Sequence, residues 1–132
     1  MGKRLGIDFG STKSCVFFID EYRMPRIVEN VEGGMFTLSS VLFDSTMKEF
    51  VVGQVAEQEG VLYPENLVRG IKNRLGDFIY TIEFNGKNYS SKDIAYLIIK
   101  KLISDAEFFF VDEEIEGVVL SCPTGTLQAV KI

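Results

Sequence analysis

Apolar residues in this chain come in short runs with strand spacing at both ends and with helical spacing in between. Leu5-Gly6-Ile7-Asp8-Phe9 and Cys15-Val16-Phe17-Phe18-Ile19-Asp20 are rich in β-branched and aromatic residues, and Gly10-Ser11-Thr12-Lys13-Ser14 joins them with turn-forming residues. That combination predicts a β-hairpin. Glu21 to Pro25 reads as a second turn and Arg26-Ile27-Val28-Glu29-Asn30 as a third strand, so the opening is an antiparallel meander. Val31-Glu32-Gly33-Gly34 breaks it. Strands follow over Ser39 to Phe43 and Glu49 to Gly53, with a loop through Asp44-Ser45-Thr46.

From Gln54 the period turns helical, with Val55-Ala56 and Val61-Leu62 on one face. Pro64 suits the first turn of a second helix, which carries Leu67, Val68, Ile71 and Leu75 at helical spacing and ends at Gly76. Phe78 to Phe84 alternates as a strand does, and Asn85-Gly86 is a strong hairpin signal that turns the chain back through Lys87-Asn88-Tyr89. Ser90 or Ser91 then caps the longest helix, with Asp93 in its first turn and Ile94, Leu97, Ile98 and Leu102 as its buried stripe, running to about Phe109. The Phe108-Phe109-Phe110 triplet is expected to pack into the core. After Glu116-Gly117, Val118 to Cys122 is an apolar run that reads as a buried strand parallel to the first, and the residues beyond Thr124-Gly125-Thr126 begin what reads as a helix.

A length of 132 residues is one domain's worth of chain, and 46% hydrophobic with 25% charged residues is ordinary for a globular protein. The formal charge of -5 argues against nucleic acid or an anionic membrane as the main partner. No apolar run reaches transmembrane length and the start has no secretory signal, so the expected setting is cytoplasmic, with Cys15 and Cys122 as small buried thiols in strands. There is no histidine, which removes histidine-based nucleophilic catalysis and every histidine metal site.

The first turn holds the candidate chemistry. Gly10 lets backbone approach a ligand, Ser11, Thr12 and Ser14 offer hydroxyls, successive N–H groups can form a concave anion nest, and Lys13 adds positive charge. Asp8 ends an apolar strand, where burial without a partner is costly; a hydrated Mg²⁺ beside phosphates would be such a partner. Taken alone, the same residues also make an ordinary hairpin with a polar turn and a capping aspartate.

The run Asp8-Phe9-Gly10-Ser11-Thr12-Lys13-Ser14-Cys15-Val16 resembles the first phosphate motif of the Hsp70 (DnaK-type) chaperones, in the superfamily of actin and sugar kinases. Pro25 to Asn30 with Glu32-Gly33, Val52-Gly53-Gln54 with Ala56, Pro64-Glu65-Asn66 with Ile71-Lys72 and Gly76, and Val118 to Pro123 resemble further stretches of that family in the same order. The resemblance implies an α/β, ribonuclease-H-like core over 1–37 and 91–132, with an inserted small α/β subdomain over 38–90. It also implies ATP or ADP with Mg²⁺ as ligands: Asp8 holding Mg²⁺ through water, Gly10, Ser11, Thr12 and Lys13 surrounding the β- and γ-phosphates, and Lys72 reaching the γ-phosphate and the attacking water. Without the resemblance, Lys72 reads as a solvated helical lysine between polar neighbours. Unfolded peptides and co-chaperones are the implied partners of the parent protein.

Departures are specific. Met35-Phe36-Thr37-Leu38-Ser39 stands where the family usually has Arg-Thr-Thr-Pro-Ser, Asn73 stands where it favours arginine, and the stretch from Gly76 to Ser90 is short, as in a trimmed second subdomain. The second phosphate loop, the adenosine loop and the peptide-binding domain have no counterpart before Ile132. The expectation is therefore an incomplete fold: an amino-terminal fragment with half of an ATP cleft, hydrolysing ATP poorly on its own and prone to self-association through an uncovered strand. A sugar kinase of the same superfamily and a non-catalytic interaction domain are the rival readings.

Overall fold

The computed structural model describes residues 2–121 and 127–130, the last four by backbone alone. In chain order it contains β1 (Lys3–Asp8), β2 (Lys13–Ile19), β3 (Pro25–Val28), β4 (Thr37–Leu38), β5 (Ser40–Asp44), β6 (Glu49–Val52), α1 (Gln54–Gly60), a 3-10 turn (Pro64–Asn66), β7 (Leu67–Arg69), a second 3-10 turn (Ile71–Arg74), β8 (Thr81–Phe84), β9 (Lys87–Ser90), α2 (Ser91–Phe109), β10 (Ile115–Ser121) and β11 (Leu127–Val130). These form two compact units, one of Met1–Gly10, Ser14–Thr37 and Leu102–Ile132, the other of Ser11–Lys13 and Leu38–Lys101. Strands and helix are mixed in both units, as the expected α/β class requires.

The first unit is built on a sheet in the order β11-β10-β1-β2-β3, with β4 beside β2. β1 and β2 pair antiparallel with Gly6 opposite Phe17 and Asp8 opposite Cys15, and β10 lies parallel to β1 with Val118 opposite Leu5. Period-two alternation buries Leu5, Ile7, Val16, Val28 and Val118. A Cβ at position 6 would meet the Phe17 ring opposite it, so any side chain there would have to displace that ring. Phe110 meets Phe18 edge-on at 5.0 Å, and the Lys3 ammonium lies over both rings. Of the phenylalanine triplet only Phe110 is buried; Phe108 and Phe109 are exposed.

The last strand differs from the sequence pattern. β10 begins at Ile115 and runs through Gly117, and Val119 is 40% exposed while Val118 is buried, so the apolar run is covered on alternate residues only. Leu127–Val130 is a strand rather than the start of a helix: pairing antiparallel with β10 satisfies backbone groups that an open edge would leave bare. Cys122, Pro123 and Thr124-Gly125-Thr126 lie outside the described residues.

In the second unit β5 is the centre of a three-stranded sheet, β6-β5-β7, and its Val41, Leu42 and Phe43 are buried. Phe43 stacks on Phe84 at 5.3 Å, and Phe50 meets Phe43, Phe84 and Tyr89 edge-on. The β8–β9 ribbon turns on Asn85 and Gly86, both with positive φ (53° and 79°), as a two-residue turn of matching twist requires. α2 opens with a reciprocal cap: the Asp93 N–H donates to Ser90 Oγ and the Ser90 N–H donates to Asp93 Oδ2. Its Ile94, Ile98 and Leu102 are buried, each worth roughly 1.5–3 kcal/mol against exposure.

Three expectations fail in this unit. Pro64 to Gly76 is not a helix, because the Asn66 side chain donates to the Phe43 carbonyl and to Ser45 Oγ, which ends the first 3-10 turn and lays Leu67–Arg69 on the open edge of β5. Val61 and Leu62 are exposed and α1 buries Ala56 and Gly60 instead, with Leu67 packed on Gly60. Phe78 and Ile79 are not in a strand but sit 86% and 91% exposed in a turn where Asp77 Oδ1 accepts the Ile79 N–H, so β8 starts only at Thr81.

Candidate functional site

The β1–β2 connector is a tight turn closed from inside. The Gly10 N–H donates to Ser14 Oγ at 3.1 Å, and Ser14 is 1% exposed. Its hydroxyl therefore closes the turn from inside, which corrects the expectation that it is offered outward. The arrangement was legible in principle, since a serine four residues after a glycine is a common way to satisfy a turn N–H. At the tip, Ser11 is half-buried and Thr12 and Lys13 are exposed. The Thr12 carbonyl accepts the Ser39 N–H at 2.8 Å, and neither the Ser11 nor the Thr12 hydroxyl is hydrogen-bonded to a described residue. The tip is thus held by its backbone while two hydroxyls remain available.

Asp8, at the end of β1, is exposed rather than buried. The sequence argument from costly burial does not apply, because even-numbered positions of β1 point away from the face that buries Leu5 and Ile7. Its neighbour across the strand pair is Cys15, whose thiol is pushed up by burial and then by the Asp8 charge. The described residues contain no cluster of three or more potential metal ligands. A single exposed carboxylate does not make a protein cage, but it fits Mg²⁺ that keeps most of its waters and is shared with phosphate oxygens.

Lys72 lies in the second 3-10 turn, not on a helix. Gly70, in the left-handed region at φ 65°, turns the chain out of β7, buried Ile71 pins the turn, and the Asn73 N–H donates to the Gly70 carbonyl. Lys72 is half-buried and forms no ion pair with a described residue. Asp8 and Gly10 belong to the first unit, whereas Ser11, Thr12, Lys13 and Lys72 belong to the second.

Sequence reasoning missed two clamps. Asn30 accepts the Gly34 N–H on Oδ1 and donates through Nδ2 to the Phe36 carbonyl and Thr37 Oγ1, shaping the loop that leads to β4. Glu57 on α1 accepts both Nε and Nη2 of Arg69 and the hydroxyl of Ser40. Asn before Gly-Gly is a turn signal that could have been read. The Glu57 pairing leaves no local trace, since its partners lie 17 and 12 residues away.

The family model described as Hsp70 protein matches residues 4–81, more than half of the chain. The chain belongs to the Hsp70 family. As an Hsp70-type protein it falls with the ATP-dependent chaperones, and the match runs through the hairpin, the Glu57 clamp and the Lys72 turn.

Proposed function

We propose that this Hsp70-type chain binds Mg·ATP and Mg·ADP through its first hairpin, as part of a DnaK-like chaperone with a shortened inserted subdomain over 38–90. The observation that carries this reading is the hairpin: a turn closed by Ser14, with the hydroxyls of Ser11 and Thr12 unengaged at its tip, and the Asp8 carboxylate open to solvent at the end of β1. Gly10, Ser11, Thr12 and Lys13 would hold the phosphate oxygens, and Asp8 would hold Mg²⁺ through water. The cation would supply neutralisation of phosphate charge. Lys72 places its ammonium on the γ-phosphoryl group and the attacking water, where charge spreads during phosphoryl transfer. Turnover then drives cycles of unfolded-peptide binding with co-chaperones in the cytoplasm.

Calorimetric titration of Mg·ADP and single-turnover hydrolysis of Mg·ATP, in this chain and in the full-length gene product, test the assignment. Asp8→Ala is expected to weaken Mg·ADP binding by about tenfold or more, as loss of a charge-assisted contact does. Lys72→Ala should leave that affinity within a few-fold and lower the full-length hydrolysis rate by about a hundredfold or more. Unchanged binding and turnover in both variants would point to an interaction domain instead, and phosphate transfer to a sugar would point to a kinase.

A further inference from the structure

We infer that Glu57 is a positioning residue for Lys72: through Arg69 and Ser40 it holds the turn that carries the lysine in fixed relation to the strand that holds the hairpin tip. The inference rests on the reading of Lys72 given above.

Every part of the connection lies within the second unit. Ser40 and Arg69 are register partners across β5 and β7, at the first residue of one strand and the last of the other. Glu57 reaches both from α1. Arg69 donates Nε to Oε2 at 2.8 Å and Nη2 to Oε1 at 2.5 Å, while the buried Ser40 hydroxyl donates to Oε2. A two-pronged contact of this kind fixes the angle of the guanidinium as well as its distance.

On each side the clamp continues into the proposed site over a few residues of chain. Ser39 precedes Ser40, and its N–H donates to the Thr12 carbonyl at the hairpin tip. Arg69 is followed by left-handed Gly70, by Ile71 at 1% exposure and then by Lys72. The Ser40 carbonyl also accepts the Gly53 N–H, which ties the start of α1 to the same point of β5. An ion pair that served only to solvate a surface would not reach a buried hydroxyl or close over the residue that starts the lysine turn.

The test is a double-mutant cycle in the full-length gene product, read by single-turnover hydrolysis of Mg·ATP and by Mg·ADP affinity. Glu57→Ala is expected to lower the hydrolysis rate about tenfold with Mg·ADP affinity nearly unchanged, and to cause no further loss once Lys72→Ala is present. A merely structural role would lower the rate by the same factor in both backgrounds, which would overturn the inference. So would an unchanged rate in Glu57→Ala when Lys72→Ala alone is slow. If Lys72→Ala itself turns over normally, the underlying reading falls and this inference with it. Should Glu57→Ala fail to fold, Glu57→Gln and Arg69→Gln serve the same cycle: the first keeps the side-chain volume and removes the negative charge, and the second removes the guanidinium.

Discussion

Asp20 and Glu57 each hold an arginine, yet they do different work. Asp20 closes its own turn: Oδ1 accepts the N–H groups of Tyr22 and Met24, and Oδ2 accepts Arg26 Nε, all within six residues. Glu57 joins a helix to two strands separated from it by 17 and 12 residues. Removing Asp20 frees a surface turn that β2 and β3 already hold by their ladder. Removing Glu57 takes away the side-chain link from α1 to both strands and leaves the β5–β7 ladder and the Gly53–Ser40 backbone bond to hold them. The ion pairs differ in geometry, one-pronged at Arg26 and two-pronged at Arg69, and in how far along the chain each one reaches.

The largest difference should appear when each carboxylate is deleted. Glu57→Ala is expected to lower stability by about 1–3 kcal/mol, the range for losing charge-assisted hydrogen bonds, whereas Asp20→Ala should move the denaturant midpoint less. Equal midpoints for the two variants would erase the distinction. Acid should then narrow the gap. Arg69, aided by Ser40 and opposed by partial burial, holds the Glu57 carboxyl below the usual glutamate range, and Arg26 and the Met24 N–H hold Asp20 below the usual aspartate range. A lowered native value means stabilisation that is full above the unfolded value and is lost as pH falls through the native one. The stability difference between wild type and Glu57→Gln should therefore be complete at pH 6–7 and close progressively below about pH 4.5; a difference that widens in acid would contradict the pairing. The smallest effect concerns strain. Arg23 takes a left-handed φ of 63° inside the Asp20 turn, so Arg23→Gly should raise the unfolding free energy slightly, by less than about 1 kcal/mol once glycine's extra entropy is counted. A fall would show that the Arg23 side chain contributes more than its backbone costs.

The parts of the fold legible in the sequence are those whose cause is local. The β1–β2–β3 meander, the Asn85-Gly86 turn and the Ser90–Asp93 cap each carry their reason within a few residues, and the parallel placement of β10 follows from the helix that precedes it. Pro64 to Gly76 was misread because its apolar spacing suits a helix, while the open edge of β5 and the reach of Asn66 to the Phe43 carbonyl belong to tertiary structure. Leu127–Val130 became a strand for a similar reason, the edge of β10. In the candidate site, the Asp8 to Lys13 motif was visible as a motif, but whether each group faces solvent was not. Ser14 turned inward and Asp8 outward, and both follow from strand alternation once the register is known. The Glu57 clamp had no signal at all, since a glutamate in a short helix says nothing about an arginine a dozen residues on.

One pairing in β1 and β2 has a use beyond architecture. Cys15 sits half-buried across from Asp8, and its thiol is kept protonated first by burial and then by the negative charge facing it. Sulfur reacts as thiolate, so burial and the facing carboxylate together slow the chemistry of this thiol.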